Sequence, residues 1–316
     1  MRSKASQQAE TAELSTFLPV RLFKKNNSYF VEWLRRDQIK FTDPFFGQTV
    51  DRIRSKGGRR AVKIVTDVDS LLKFSTQTKH TCPAAFIFHI SRCGSTLLSQ
   101  VLSQDSKNLV LSEPSIFNDI SLAKSLSVSM KLALFVAAIE AFKAAMLDGE
   151  GRIIIKFASS TEWLRHLQKI YPKSKFLIVY REPVAVIDSN LRGPPDRLLR
   201  LPKKDRRIKL IESLEYQMKV FAKSKGPSAA LLNYKQIRAS FLPELIQFLN
   251  LKGLSKSTLV AMRSRFDFYS KSNEKTLWRE EKRAIAKVPR EIIKIYRDLE
   301  RVRRAQERFF SEPPRG

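Results

Sequence analysis

Residues 84–102 read AAFIFHISRCGSTLLSQVL, and the prediction of the fold starts from them. Ala84–Ile90 is a short continuous apolar run, which is typical of a buried strand. A polar turn over residues 91–96 follows it, and an apolar-periodic segment then predicts a helix over Leu97–Leu102. A strand that enters a helix through such a turn has the architecture of an anion cradle, because the first helical amides lack partners and the helix dipole favours negative charge.

The turn carries side chains that suit an anion, but it is not the loop of a standard ATPase. Ser95 and Thr96 offer hydroxyl donors, and Arg92 offers a planar guanidinium that fits a phosphate or sulfate oxygen. The triphosphate loop requires G-x-x-x-x-G-K-[ST]. Here His89 stands at the first Gly position and Ser95 at the Lys position, so only Gly94 and Thr96 match. The loop alone leaves open whether an anion binds at all.

Downstream, short apolar runs alternate with helical segments. The predicted strands are Leu109–Leu111, Ile153–Phe157, Lys175–Tyr180 and Ala229–Asn233. The predicted helices are Phe117–Leu147, Thr161–Ile170, Val184–Leu191 and Leu242–Leu249, with basic helix beyond residue 255. Because strands that are apolar on both faces need helices on both sides, the prediction is an α/β fold: a parallel β-sheet flanked by helices in a P-loop-like three-layer α/β/α arrangement.

Two domains are expected. Residues 1–80 form a small amino-terminal extension of unknown role, in which aromatic side chains and a helix precede a strand-like Arg60–Thr66. Residues 81–316 form the α/β domain with its helical carboxy-terminal part. The first 13 residues lack the apolar core of a secretory signal, and Lys131, Glu140 and Lys143 interrupt the longest apolar stretch. We therefore expect no membrane span and a cytoplasmic protein. Two cysteines in all are too few for a zinc site.

A second motif follows the strand Lys175–Tyr180. Arg181 stands at the carboxyl end of this strand, where open parallel sheets bind ligands, and Ser189 lies eight residues further on, about two turns into the next helix. This pair suits a second phosphate at some distance from the first. The alternative is an Arg181–Glu182 surface pair and a serine on a helix face.

These motifs together resemble a family. Residues 88–98 (FHISRCGSTLL) look like the 5′-phosphosulfate loop of sulfotransferases that use 3′-phosphoadenosine 5′-phosphosulfate (PAPS), and residues 177–183 (LIVYREP) through Ser189 look like their 3′-phosphate motif. The spacing from Lys156 to Arg181 resembles the tyrosylprotein sulfotransferases most. Residues 232–237 (LNYKQI) resemble a later element of the family. The resemblance covers roughly residues 84–252, and it implies PAPS as sulfuryl donor and no metal.

The resemblance also assigns roles in binding the donor. The 5′-phosphosulfate would be held by the loop residues Arg92, Cys93, Gly94, Ser95, Thr96 and Leu97. The 3′-phosphate would be held by Arg181 and Ser189, and Arg192 could reach it as well. Tyr234 matches a tyrosine of the family that contacts the donor, although core packing explains a tyrosine there nearly as well. The carboxy-terminal R-K-G-x-x-G loop of the cytosolic enzymes of this family is absent; Lys282, Arg283, Ser270 and Ser272 are candidates to replace it.

Three residues are expected to be catalytic. Glu113, after the strand Leu109–Leu111, corresponds in its distance from the loop Arg to the family's general base; the alternative is an ion pair or a carboxylate at a helix N-terminus. Lys156 ends an apolar strand and would stabilise the transferring sulfuryl group, unless its chain reaches out to solvent. Arg92 would share the sulfuryl charge.

The net charge of +28 calls for a polyanionic partner without naming one. The net charge is +8 over residues 1–80, −1 over 81–150, +5 over 151–195 and +16 over 196–316. Because nucleic-acid arms are more often one contiguous block, nucleic acid is an unlikely partner. A basic loop is expected at residues 192–209, with 8 basic and 2 acidic side chains, and it could attract the acceptor or simply face solvent. The acceptor could be an acidic peptide, a glycan or a small hydroxylated molecule, and the oligomeric state is unknown.

Two rival functions share parts of this pattern. A kinase-like nucleotide-dependent phosphotransferase would use the same loop and fold, but the loop lacks its lysine. A basic protein that binds nucleic acid or an anionic surface would explain the charge directly. It would leave the Arg181–Ser189 spacing and Lys156 without a reason.

Overall fold

The computed structural model describes residues 14–36, 39–57, 62–78, 82–158, 160–194, 196–224, 226–268 and 287–310. The chain divides into two compact units that are each discontinuous in sequence. The first unit comprises Met1–Ala84 and Ser103–Ala158, and the second comprises Ala85–Leu102 and Ser159–Gly316.

An antiparallel sheet of three strands opens the first unit. Its strands are β1 (Phe17–Lys25), β2 (Ser28–Arg35) and β3 (Lys63–Asp67), in the order β1-β2-β3. Asn26 and Asn27 both have positive φ, 47° and 63°, which is the geometry of the tight turn that best joins two antiparallel strands. Helix α1 (Phe46–Gly57) precedes β3, and α2 (Val68–Gln77) follows it. The sequence predicted the helix and the strand β3, but not the β1–β2 hairpin.

Five further strands are parallel. They are β4 (Ala85–His89), β5 (Asn108–Ser112), β6 (Arg152–Lys156), β7 (Lys175–Tyr180) and β8 (Ala229–Asn233). Within the first unit β5 pairs with β6, and within the second unit β7 pairs with β4 on one side and β8 on the other. All but two residues of these strands are buried, as expected for strands covered on both faces.

Helices follow or separate these strands. In chain order they are α3 (Ser95–Leu102), α4 (Ser115–Leu122), α5 (Val128–Ala144), α6 (Leu164–Ile170), α7 (Pro183–Arg192), α8 (Asp196–Leu199), α9 (Lys203–Ala222), α10 (Leu242–Leu249), α11 (Lys256–Ser264) and α12 (Arg290–Phe310). The predicted fold class is therefore confirmed: the protein has an α/β fold with a five-stranded parallel sheet flanked by helices. No described helix has the length and apolar character needed to cross a membrane.

The first unit is held together by an aromatic core and a buried ion pair. Phe117 packs against Phe135 and Phe157, with ring centroids 5.2 and 5.0 Å apart. Arg36, which directly follows β2, is almost fully buried and pairs with Glu150 at 2.6 Å. This contact joins the amino-terminal sheet to the segment before β6, so these residues fold with residues 103–158.

The structure refines one predicted element and corrects another. Phe117–Leu147 was predicted to be mostly helical, and it contains the end of α4 and all of α5. The two helices are separate because Ser127 caps the start of α5 by accepting from the Met130 amide at 3.2 Å. The prediction of a basic loop at residues 192–209 is wrong. This segment contains α8 and the start of α9, which is helical because it buries an apolar stripe further along. The stripe consists of Leu210, Leu214, Met218 and Phe221.

Candidate functional site

The loop between β4 and α3 turns sharply at two residues with positive φ. The Ile90 amide donates to the Val179 carbonyl at 3.1 Å and ties the start of the loop to β7. Arg92 then has a φ of 60° and Gly94 a φ of 84°. The Leu98 amide donates to the Gly94 carbonyl at 3.1 Å, so α3 begins directly after the turn. Such a turn directs successive amides toward one point, where an anion can be held.

Gly94 is required where it stands because Tyr234 packs directly against it. A Cβ at Gly94 would lie 2.9 Å from Tyr234 Cδ2, closer than real Cβ contacts allow, and a tight 3.2 Å from Ile237 Cδ1. The positive φ adds strain for any other residue. The predicted donor-contacting tyrosine therefore lies on the predicted anion loop.

Arg181 joins the same cluster from the end of β7. Its Nη1 donates to the Arg92 carbonyl at 3.1 Å, and its guanidinium lies 4.2 Å from the centroid of the Tyr234 ring. The structure thus brings Arg92, Gly94, Arg181 and Tyr234 together, although they are up to 142 positions apart in the chain. No surface pair between Arg181 and Glu182 is among the ion pairs of the described residues.

Helix α7 contacts the loop as well. Arg92 Nη2 donates to the carbonyl of Gly193, just beyond the helix. Asn190 Nδ2 donates to Ser91 Oγ at 2.8 Å. Ser189 is partly exposed on this helix and Arg192 pairs with Asp188 at 3.2 Å. The helix proposed for the 3′-phosphate therefore holds two consecutive residues of the loop proposed for the 5′-phosphosulfate.

The other predicted loop residues take ordinary places at the start of α3. Ser95 and Thr96 are buried, as is Cys93, and Leu97 is partly exposed. The cluster thus combines one hydroxyl-rich helix start with the guanidinium groups of Arg92 and Arg181.

Glu113 and Lys156 form an ion pair within the first unit. Lys156 Nζ lies 2.8 Å from Glu113 Oε1 and donates to Ser112 Oγ at 3.2 Å. It also lies 5.1 Å from the centroid of the Phe45 ring, a cation–π distance. The Lys156 side chain is 0% exposed, so its chain does not reach solvent, whereas that of Glu113 is 26% exposed. The ion pair, which the sequence had left open as an alternative, is present.

Backbone strain singles out two of the predicted catalytic residues. Among the described residues, five that are not glycine have positive φ: Asn26, Asn27, Arg92, Glu113 and Asn250. Asparagine tolerates this region, and Asn250 is the left-handed cap of α10. Arg92 and Glu113 are neither asparagines nor left-handed helix caps, so their φ of 60° is strained. The Glu113 amide donates to the Lys156 carbonyl at 2.8 Å, which helps to keep this conformation.

A basic cavity of about 1020 Å³ lies against α12 in the second unit. It is lined by Lys235, Tyr296, Arg297, Glu300, Arg301, Arg303, Arg304 and Ala305. The carboxylate in this set, that of Glu300, accepts from Tyr180 at 2.5 Å, from Asn233 at 2.7 Å and from Arg303 at 2.9 Å. Burial opposes its ionisation, but these hydrogen bonds outweigh burial and hold the pKa of Glu300 below its usual range. The lining therefore keeps a surplus of positive charge.

Several contacts of these sites were not predicted from the sequence. They involve Phe45, Ser91, Ser112, Asn190 and Gly193. Ser91 and Ser112 directly precede the predicted residues Arg92 and Glu113, so the sequence offered a signal for them. Nothing in the sequence near Phe45 indicated a part in the site. The residues considered as replacements for the R-K-G-x-x-G loop, 270, 272, 282 and 283, lie outside the described residues. Within the described part of the chain, no group of three His, Cys, Asp or Glu could hold a metal ion.

No protein-family model matches the chain, and a search of curated proteins gives no match. Among solved structures, the chain is similar to mouse sulfotransferase SULT7A1 complexed with PAP, at 12% identity and a TM-score of 0.46, over 91% of this chain and 98% of that one. The sulfotransferase domain of the Synechococcus PCC 7002 olefin synthase is similar at 18% identity and a TM-score of 0.44, over 75% and 98% of the two chains. Sulfotransferase STF9 from Mycobacterium avium is similar at 11% identity and a TM-score of 0.44, over 68% and 74%. These neighbours are sulfotransferases, but at such scores the site residues of this chain must carry the function.

Proposed function

We propose that the protein is a sulfotransferase that moves a sulfuryl group from PAPS to an acceptor hydroxyl. The observation that carries this proposal is the cluster of Arg92, Gly94, Arg181 and Tyr234 in the second unit. Two separate motifs, chosen from the sequence for two phosphate groups of one donor, supply Arg92, Gly94 and Arg181, and a later element supplies Tyr234. A single phosphate loop would not need the second motif.

The second unit would bind the donor. The amides of the loop after β4, with the side chains of Ser95 and Thr96, suit the 5′-phosphosulfate, and Arg181 with Ser189 suits the 3′-phosphate. Arg181 already lies on the Tyr234 ring, and a guanidinium fixed in this way loses little freedom when it binds an anion. Cys93 and Leu97 would contribute through the backbone of the loop.

The transfer step is proposed to use Glu113, Lys156 and Arg92. PAPS, when bound, supplies an activated sulfuryl group. The acceptor oxygen forms a bond to sulfur as the bond from sulfur to the phosphate oxygen breaks, and adenosine 3′,5′-bisphosphate leaves. Glu113 would take the acceptor's proton, because its carboxylate is partly exposed. Lys156 and Arg92 would stabilise negative charge in this in-line transfer, a role that the resemblance to the sulfotransferases implies.

The donor is tested by isothermal titration of the full chain with adenosine 3′,5′-bisphosphate, ATP and duplex DNA. The proposal expects binding of the bisphosphate at micromolar concentration and much weaker binding of ATP. Preference for ATP would favour the kinase-like alternative instead. A screen of acidic peptides, glycans and small hydroxylated molecules with labelled PAPS would then identify the acceptor class.

A second candidate function, binding to an anionic polymer or surface, is favoured by the basic cavity against α12. Arg297, Arg301 and Arg304 follow the spacing i, i+4, i+7, so they lie along one face of this helix. Binding of heparin or duplex DNA that survives in the absence of any nucleotide binding would support this function over sulfuryl transfer.

A further inference from the structure

We infer that Ser91 is a further donor-binding residue and that Asn190 is a positioning residue that aims the Ser91 hydroxyl. The inference rests on the proposed function, and it adds a hydroxyl contact to the 5′-phosphate of the donor. Ser91 lies within the loop motif but was given no role from the sequence, and Asn190 lies just beyond the second motif, which ends at Ser189.

The orientation of the Asn190 amide is fixed by its own helix. Asn190 lies on α7, is 1% exposed, and donates from Nδ2 to the Val186 carbonyl at 2.8 Å. A carbonyl oxygen can only accept a hydrogen bond, so the nitrogen of the amide must face Val186. An inverted amide would place two acceptors against each other.

The second hydrogen of the same nitrogen then determines the role of Ser91. Asn190 Nδ2 lies 2.8 Å from Ser91 Oγ, and an amide NH₂ can only donate. Ser91 Oγ therefore accepts this bond, and its own hydrogen must point away from Asn190. The hydroxyl is thus held as a donor, which is the polarity that an anion requires.

The surroundings of Ser91 indicate which anion its hydroxyl hydrogen would bind. Ser91 is partly exposed and directly precedes Arg92, whose guanidinium and carbonyl contact Gly193 and Arg181. Ser91 is therefore the first residue of the loop proposed for the 5′-phosphosulfate, and it contacts α7, the helix that carries Ser189.

The Asn190 oxygen provides a second, independent observation. Asn190 Oδ1 is buried and has no hydrogen-bond partner among the described residues. A buried acceptor without a partner destabilises the folded state, and leucine or alanine at this helical position would avoid that loss. The amide at this position is therefore explained by its hydrogen bonds to the Val186 carbonyl and to Ser91, and not by packing.

The experiment compares binding of adenosine 3′,5′-bisphosphate with binding of adenosine 3′-phosphate, which lacks the 5′-phosphate. Ser91→Ala should weaken binding of the bisphosphate about tenfold and leave binding of the monophosphate unchanged, because only the 5′-phosphate loses a charge-assisted hydrogen bond. Ser91→Thr retains the hydroxyl and should restore most of the affinity. Ser224→Ala removes another hydroxyl of the second unit, one that bonds the Val220 carbonyl, and is the matched control.

Asn190 variants test the orientation. In Asn190→Asp the carboxylate would accept the Ser91 hydrogen, so the hydroxyl would no longer face the anion, and bisphosphate binding should fall further than in Asn190→Ala. If Ser91→Ala binds the bisphosphate as tightly as the unaltered chain, or loses affinity for both nucleotides equally, the inference is wrong while the proposed function stands. If the unaltered chain binds neither nucleotide, the proposed function fails and this inference fails with it. The Ser91 variants decide the matter even if the Asn190 variants do not fold.

Discussion

At the scale of single residues, backbone strain coincides with the predicted chemistry. Arg92 and Glu113 were chosen from the sequence for the sulfuryl charge and the proton, and both adopt a φ of 60° that costs an L-residue free energy. Strain of this kind persists only where the surrounding structure over-determines it, and it concentrates at functional sites. The Arg181–Arg92 bond and the Lys156–Glu113 contacts are the constraints that hold the two residues.

Gly94→Ala should abolish binding of adenosine 3′,5′-bisphosphate and destabilise the chain by about 2–3 kcal/mol. The reason is twofold, since the new Cβ meets the Tyr234 ring at 2.9 Å and a φ of 84° is unfavourable for alanine. Chemical denaturation and titration calorimetry measure the two effects.

Gly149→Ala separates these causes. Gly149 has a φ of 85° but no atom within 4 Å of its added Cβ, so this variant has the strain without the collision. It should lose about 1 kcal/mol and keep the binding. Equal losses in both variants would mean that the contact with Tyr234 is unimportant.

Glu113→Gln should reduce turnover about 10²–10⁴-fold while binding of the bisphosphate is retained, because the amide cannot accept the acceptor's proton. The variant also leaves the buried Lys156 ammonium without its carboxylate, so the melting temperature should fall. The double variant Glu113→Gln, Lys156→Met should recover stability and remain inactive. Full turnover in Glu113→Gln would dismiss Glu113 as the base.

At the scale of elements, apolar runs located the parallel strands well. Strands β7 and β8 begin and end at the predicted residues. The hairpin β1–β2 was missed because β1 contains Pro19 and Arg21 and shifts register between them, which obscures the alternation of a half-buried strand. The helix α9 was not predicted, because its first turns are basic and only later residues show the buried stripe. Contacts such as Asn190–Ser91, 99 positions apart, depend on how the strands are ordered, which local patterns do not encode.

The stability that Glu300 gives to the packing of helix α12 should depend on pH. Its carboxylate accepts from Tyr180 on β7 and from Asn233 on β8, and Gln306 of the same helix bonds the Leu231 amide at 3.1 Å. Because the pKa of Glu300 is lowered in the folded chain from its ordinary value of 4.5, the stability it contributes is present above that value and is lost as the pH falls through the folded pKa.

Glu300→Gln should therefore lower the melting temperature near neutral pH, with a loss of about 2–3 kcal/mol for hydrogen bonds to a charged group. The difference from the unaltered chain should shrink as the pH is lowered from about 7 to about 3. Thermal melts across that range provide the measurement, and a difference that does not change with pH would contradict the role assigned to the charge.

At the scale of the whole molecule, the charge of +28 is only partly explained by the donor site. Arg92, Lys156 and Arg181 account for few of the 59 basic residues. The basic cavity against α12 gathers further positive charge elsewhere in the second unit. It could attract polyanions to that part of the surface. Such attraction is strongly salt-dependent because each neutralised phosphate releases counterions.

The double variant Arg297→Ala, Arg301→Ala should lower the slope of log K against log salt concentration for duplex DNA by about 2, since each lost cation contact lowers it by about 1. The matched double variant Arg200→Ala, Arg263→Ala removes two exposed arginines that do not line the cavity and should change the slope less. Binding of adenosine 3′,5′-bisphosphate should be unchanged in both, because none of these four arginines forms a hydrogen bond or ion pair with Arg92, Gly94, Arg181 or Tyr234 among the described residues. Equal changes of slope in the two double variants would mean that the surplus acts as a diffuse field over the whole surface, and the cavity would then have no special part in binding polyanions.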